Sequence, residues 1–193
     1  MKRICLLFAF ILPLVALAQT GDGRKYLVGA VPEKDGAVVF EKTVSVPGRS
    51  ATELFDELSA YAAELLAGSD NKENARVIGD YRAEGQIAMR MDELIYFKKS
   101  ALQTSFTRMS YNLTFFCKDG EFTVSASNIS YVIDPDENGG GGTVVRAEKW
   151  ITDKEGLNKK QDKPAKVSGK YRVKTIDRFA EIVNGARRAT KAQ

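Results

Sequence analysis

The stretch RMSYNLTFFCKDGEFTVSA, residues 108–126, decides the fold. Met109, Tyr111, Leu113, Phe115 and Cys117 alternate with Ser110, Asn112, Thr114 and, before them, Arg108. A period of two is that of a strand with one face buried. Asp119-Gly120 is a two-residue hairpin signal, because these residue types tolerate the positive φ that a tight β-turn needs. The turn sets Lys118 opposite Glu121 and Cys117 beside Phe122, so Phe122, Val124 and Ala126 continue the apolar face. Farther on, Ile129, Tyr131 and Ile133 take the other parity, and a bulge near Ser127-Asn128 accounts for the change. Hairpin-linked strands of this kind make an antiparallel sheet with one covered face.

Working outward, GAVVFEKTVSV (36–46) reads as a strand with Val38, Phe40, Val44 and Val46 on one side and Lys42 out of pattern. Ser50 and Glu53 form a capping box, which starts a helix over 51–67. Its apolar stripe is Leu54, Phe55, Leu58, Tyr61, Ala62, Leu65 and Leu66, and Gly68 suits a C-terminal cap. Residues 75–82 read as a strand. From Ile87 the odd positions Met89, Met91, Ile95 and Phe97 line one side; Asp92-Glu93 interrupts them, leaving one bulged strand or two short ones over 86–98. A Gly-rich loop covers 134–143. Ala147, Trp150 and Ile151 are spaced for a short helical turn, a basic loop runs over 152–170, and a last helix covers 171–190, with Ile176, Phe179, Ile182, Val183 and Ala186 inward. The expected class is α+β: a curved antiparallel sheet of about five or six strands with two long helices on one face, in the order β-α-β(4–5)-α. It forms a single domain over 36–193 behind a leader at 19–35, without internal repeat or second-domain linker.

The N-terminus has the pattern of a secretory signal peptide over 1–18. Lys2 and Arg3 precede an apolar run at 4–15, broken by Pro13, and Ala16-Leu17-Ala18 supplies small residues for cleavage. The run falls short of the ~20 apolar residues that span a bilayer. The chain is therefore expected to be exported, to the periplasm or beyond the cell, with no transmembrane segment. Loss of Cys5 with the signal leaves Cys117 alone, so no intramolecular disulfide forms. Histidine is absent, which excludes Ser-His and Cys-His pairs and the commonest zinc ligand. Charge is divided: residues 19–145 hold 13 basic and 19 acidic side chains, residues 146–193 hold 14 basic and 6 acidic.

Several constellations are candidates for function. Trp150 lies in RAEKWITDKEGLNKKQDK (146–163), and Lys154, Lys159, Lys160, Lys163 and Lys166, with Lys149, Lys170, Arg172 and Lys174 around them, could meet an anionic polymer or membrane surface. Asp153, Glu155 and Asp162 interrupt that run, which argues against nucleic acid. The favoured reading makes Trp150 a core anchor that pins a solvated loop. Met89, Met91, Tyr111 and Phe115, with Trp150, could line a site for a small apolar ligand, though filling the core is the stronger expectation. Asp134, Asp136 and Asn138 before Gly139 match half a calcium loop, but Val145 stands where the bidentate Glu belongs, so no metal and no cofactor is expected. Cys117 reads as a buried, inert thiol. Ser168 and Lys170 could form a histidine-free dyad, while Asp92 and Glu93 point to opposite strand faces and make a weak acid–base pair.

KYLVGAVP (25–32), WITDKEGLNKK (150–160) and SGKYRVKTID (168–177) together resemble a family of secreted bacterial proteins of unknown function described as having a TBP-like fold, like the TATA-binding protein. The resemblance spans nearly the whole mature chain and implies a β-α-β-sheet-α layout. It brings no catalytic or binding residues, and the fold name does not entail DNA binding. The resulting expectation is an exported, non-catalytic binding or interaction module. The alternatives are a histidine-independent hydrolase (Ser-Lys or carboxylate) and a cell-envelope or anionic-polymer binder acting through the basic C-terminal region.

Overall fold

The computed structural model describes residues 23–68, 70, 74–100 and 103–192. The signal-peptide reading of 1–18 falls outside them. In chain order, a 3-10 turn at Gly23–Tyr26 is followed by β1 (Glu33–Lys34), β2 (Ala37–Val38), β3 (Phe40–Ser45), α1 (Ala51–Leu66), β4 (Arg76–Tyr81), β5 (Gln86–Ser100), β6 (Gln103–Lys118), β7 (Glu121–Ile133), β8 (Thr143–Arg146), a 3-10 turn at Ala147–Lys149, α2 (Asp153–Gly156) and α3 (Gly169–Ala189).

The hairpin forms in the register its turn dictates. Lys118 faces Glu121, Cys117 faces Phe122, and Gly120 takes φ 78°. The parity change in β7 is a bulge. Asn112 pairs with Ser127 but Ser110 pairs with Ser130, and Asn128 sits at φ 52°. Around this hairpin an antiparallel six-stranded sheet runs β3-β7-β6-β5-β4, with β8 also on β7. β3 takes the first half of β7's outer edge and β8 the second, one on each side of the bulge. Two further register shifts, at Val77/Gly79 and Tyr96/Lys98, add local bending.

Four sequence expectations resolve here. Residues 86–98 belong to one strand, and its pairing with β6 is unbroken through Asp92 and Glu93. The irregularity lies later, at Phe97. The 36–46 strand is instead two, β2 and β3, parted at Val39, although Val38, Phe40, Val44 and Val46 are all buried as their parity requires. Gly68 does not cap α1. The helix ends at Leu66, and its C-cap Ala67 is right-handed. The basic segment is more ordered than a plain loop, since it contains α2 and a bridge between Leu157 and Pro164.

Both long helices lie over the odd-numbered face of β5 and β6. In α1 the capping box is present, Ser50 Oγ accepting from Glu53 N at 3.3 Å and Glu53 Oε2 from Ser50 N at 2.9 Å. Leu54, Phe55, Leu58 and Ala62 are its buried side. The two helices meet at Gly185, where a Cβ would stand 2.0 Å from the Tyr61 hydroxyl oxygen. Only glycine permits that approach, and Tyr61 uses it to donate to the Ile182 carbonyl at 3.1 Å.

Arg172, expected among the basic surface residues, is instead 0 % exposed. Its Nε donates to Tyr26 O at 2.6 Å, Nη1 to Ile151 O at 2.7 Å, and Nη2 to Leu27 O at 2.5 Å and Asp153 Oδ1 at 2.7 Å. One guanidinium thus ties the N-terminal turn, the segment after Trp150 and α2 to α3. Replacing Arg172 by Ala strands three carbonyl groups and one carboxylate, at a cost of about 3–5 kcal/mol, the range for breaking a buried ion pair. Arg172→Lys is expected to fail as well, because an ammonium cannot span a fork of four acceptors. Urea unfolding followed by Trp150 fluorescence checks this. A loss below about 1 kcal/mol, the worth of an exposed pair, would contradict it.

Candidate functional site

The strand parity that builds the core also places a carboxylate in it. Glu93 shares the odd face of β5 with Met89, Met91 and Ile95, and is 4 % exposed. A lone carboxylate there would be costly. Arg178 answers it from α3, with Nε donating to Oε1 at 3.0 Å and Nη2 to Oε2 at 2.9 Å. The Tyr111 hydroxyl donates to Oε1 at 2.7 Å. Burial, and then the charge of Glu93, push the Tyr111 hydroxyl well above its ordinary pKa, so it stays a donor. Burial works against the Arg178 cation, but its bonds to Glu93 outweigh that and hold its pKa above the usual value.

This pair walls a groove of about 690 Å³ between α3, the end of α1 and β5. Lys25, Lys174, Asp177, Tyr96 and Asn184 line it further, with Leu65, Leu94 and Ile95 as its apolar part. Its rim is braced by Lys25 Nζ donating to Asp177 Oδ1 at 2.9 Å and by the Tyr26 hydroxyl donating to both Asp177 oxygens, at 2.9 and 3.1 Å. Cations and carboxylates thus line the same groove, an arrangement able to hold a charged or polar molecule.

The other face of the sheet carries the even-numbered residues, and among the described residues no helix lies over it. Asp92 accepts from Arg108 Nε at 2.7 Å and Nη2 at 2.5 Å, and from the Ser110 hydroxyl at 3.1 Å. Asp92 and Glu93 are therefore each tied to their own arginine on opposite faces, as the strand geometry requires.

The sequence-derived candidates distribute as follows. Met89, Met91, Tyr111 and Phe115 are fully buried, and the cavity beside Tyr111 holds about 10 Å³. No small apolar ligand fits there, because the two helices close directly onto the sheet. Trp150 packs edge-on against Tyr171 at 5.8 Å between centroids, while Ala147 and Ile151 are buried on either side of it in sequence. It anchors the basic segment. Lys154, Lys159, Lys160, Lys163 and Lys166 are all exposed on that segment. Asp136 is committed to its own loop, accepting from Asn138 N at 2.9 Å and Gly140 N at 2.8 Å, while Asp134 takes φ 52°. Cys117 is buried, and burial raises its thiol to about 11. Ser168 donates to the Glu155 carbonyl at 2.5 Å, whereas the Lys170 ammonium lies over the rings of Phe97 and Tyr171 at 4.4 and 5.4 Å. The two do not engage each other. Sequence reading missed Glu93–Arg178. The signal was there: a Glu on an apolar parity and an Arg one position from Phe179 on the inward stripe.

Residues 40–132 match the family described as a domain of unknown function (DUF4468) with TBP-like fold. A crystal structure of a family member from Bacteroides ovatus superposes with TM-score 0.80 at 34% identity, over 89% of this chain and 96% of that one. The chain belongs to the DUF4468 family. A TBP-like protein from Parabacteroides distasonis shares the fold, with TM-score 0.63 at 19% identity over 84% of this chain and 99% of that one. No curated protein matches this DUF4468 chain. Among the described residues no helix is long and apolar enough to cross a membrane.

The open face yields a pH test. Burial would raise the Asp92 carboxyl, but the bonds from Arg108, Asn74 and Ser110, with the Arg108 charge, outweigh it and hold its pKa below the ordinary value of 3.8. A depressed folded-state pKa contributes stability that is present above the ordinary value and lost as pH falls through the lowered one. Melting temperature is therefore expected to drop as the wild type is acidified below about pH 4. Asp92→Asn should start lower at pH 7 and show a shallower acid limb. Parallel curves would remove Asp92 from the acid response.

Proposed function

We propose that this domain is an exported, non-catalytic binding module that holds a small polar ligand in the groove beside α3. Export rests on the signal-like 1–18 segment. The observation that carries the binding reading is the groove itself, a volume within the range of small-molecule sites, walled by the Glu93–Arg178 pair. Because Lys174 and the paired charges Lys25–Asp177 and Arg178–Glu181 face the same space, the ligand that suits it carries both charges, as an amino acid or short peptide does. The non-catalytic reading is supported by the commitment of each reactive candidate elsewhere: Ser168 to Glu155, Lys170 to two aromatic rings, Asp92 to Arg108.

Ligand-observed NMR of the mature chain against amino acids, dipeptides and amino sugars tests this. Binding is expected for zwitterionic members and is expected to vanish in Ala180→Trp, which fills the groove from an exposed position of α3 and should leave the melting temperature within a degree or two. Binding that survives Ala180→Trp, or turnover of any probe, would contradict the proposal.

A further inference from the structure

We infer that the uncovered face of the sheet holds a second, separate site, an oxyanion site built on Arg76 and Arg90 and suited to a phosphomonoester. The two residues are direct cross-strand partners in the β4–β5 register, so their side chains share one face at close range. Like charges directly opposite each other destabilise a sheet pair, and a bonded carboxylate would relieve that repulsion. Here none pairs with either residue among those described. Arg76 Nη1 donates to the Asn74 main-chain oxygen at 3.1 Å, and Arg90 Nη1 to the Asn112 side-chain oxygen at 3.2 Å. Both acceptors are neutral.

These arginines line a hollow of about 400 Å³ together with Arg108, Asp92 and Ser110. Asp92, the carboxylate of that lining, already has both oxygens on Arg108 and one on Ser110. Among the described residues the lining thus holds three guanidinium groups and one committed carboxylate, and Arg76 and Arg90 retain N–H donors that no described neighbour uses. A guanidinium fork matches an oxyanion edge in bidentate fashion. A phosphomonoester, with a charge of about −1.5 to −2 at neutral pH, balances the two cations of Arg76 and Arg90, which have no carboxylate partner among the described residues; a carboxylate balances half of that charge. The site sits on the even-numbered face, across the sheet from the groove beside α3, and stands independently of it.

The test is calorimetric titration and thermal melting of the mature chain with glycerol 3-phosphate and inorganic phosphate, against acetate and chloride at equal ionic strength. Both phosphate probes are expected to bind and to raise the melting temperature above the chloride control. Arg76→Gln and Arg90→Gln should each weaken phosphate binding by at least about tenfold, the worth of a charged hydrogen bond. Without phosphate, each variant should melt at or above the wild-type temperature, since the substitution removes a repulsion. Ala180→Trp should bind phosphate like the wild type, which separates this site from the groove. No rise over chloride, an equal response to acetate, or undiminished binding in both variants would overturn the assignment. So would a fall in the unliganded melting temperature of both variants, since that would make the arginines structural.

Discussion

A carboxylate on the covered side of a sheet must be met by a cation, and this constraint places α3. Glu93 stands in a row of apolar side chains, and Arg178 reaches it with two parallel hydrogen bonds while Tyr111 supplies a third from β6. Hydrophobic contact alone is permissive about where a helix rests on a sheet. A buried, bidentate ion pair is not, because sliding α3 by one turn would leave two desolvated charges unpaired. The same pair forms the groove wall. Fold specificity and the shape of the groove are thus one feature. Arg172, two turns earlier on the helix, performs a similar task toward the chain's N-terminal turn, so α3 is held by directional bonds at both of its inward arginines.

The division of the sheet into two faces organises the rest. The odd-numbered face of β5 and β6 is covered and filled, with too little residual volume for an apolar guest. The even-numbered face stays open and polar, carrying Arg90, Asp92, Ser110 and Asn112 at half-buried or sheltered positions. Consecutive residues Asp92 and Glu93 therefore serve opposite sides of the molecule. What looks in sequence like a cluster of acid is two separate ion pairs, each closed by its own arginine.

Much of the architecture was legible beforehand because it depends on local chemistry. The 108–126 hairpin follows from Asp119-Gly120 and alternation, the start of α1 from Ser50 and Glu53, and the β7 bulge from a change of parity. The family resemblance carried by three short strings also held. The site was not legible in the same way. Glu93 and Arg178 are 85 positions apart, and neither carries a local pattern that names its partner. Arg172 read as one more basic residue in a basic region, since burial of an arginine depends on carbonyl groups freed by turns far away in sequence. Choosing between a filled core, the stronger expectation, and an apolar-ligand site was a matter of distance: alternation shows which side chains face inward, but not whether the helices above leave a gap. The break at Val39 and the continuity of β5 through Asp92 likewise depend on neighbouring strands.

The central claim, that a desolvated ion pair both seats α3 and walls the groove, is tested most directly by a double-mutant cycle between Glu93→Gln and Arg178→Met, read by urea unfolding. A coupling energy of at least about 2 kcal/mol is expected, as for close charge pairs removed from water. Additivity within about 0.5 kcal/mol would show that the two side chains act independently and would contradict it.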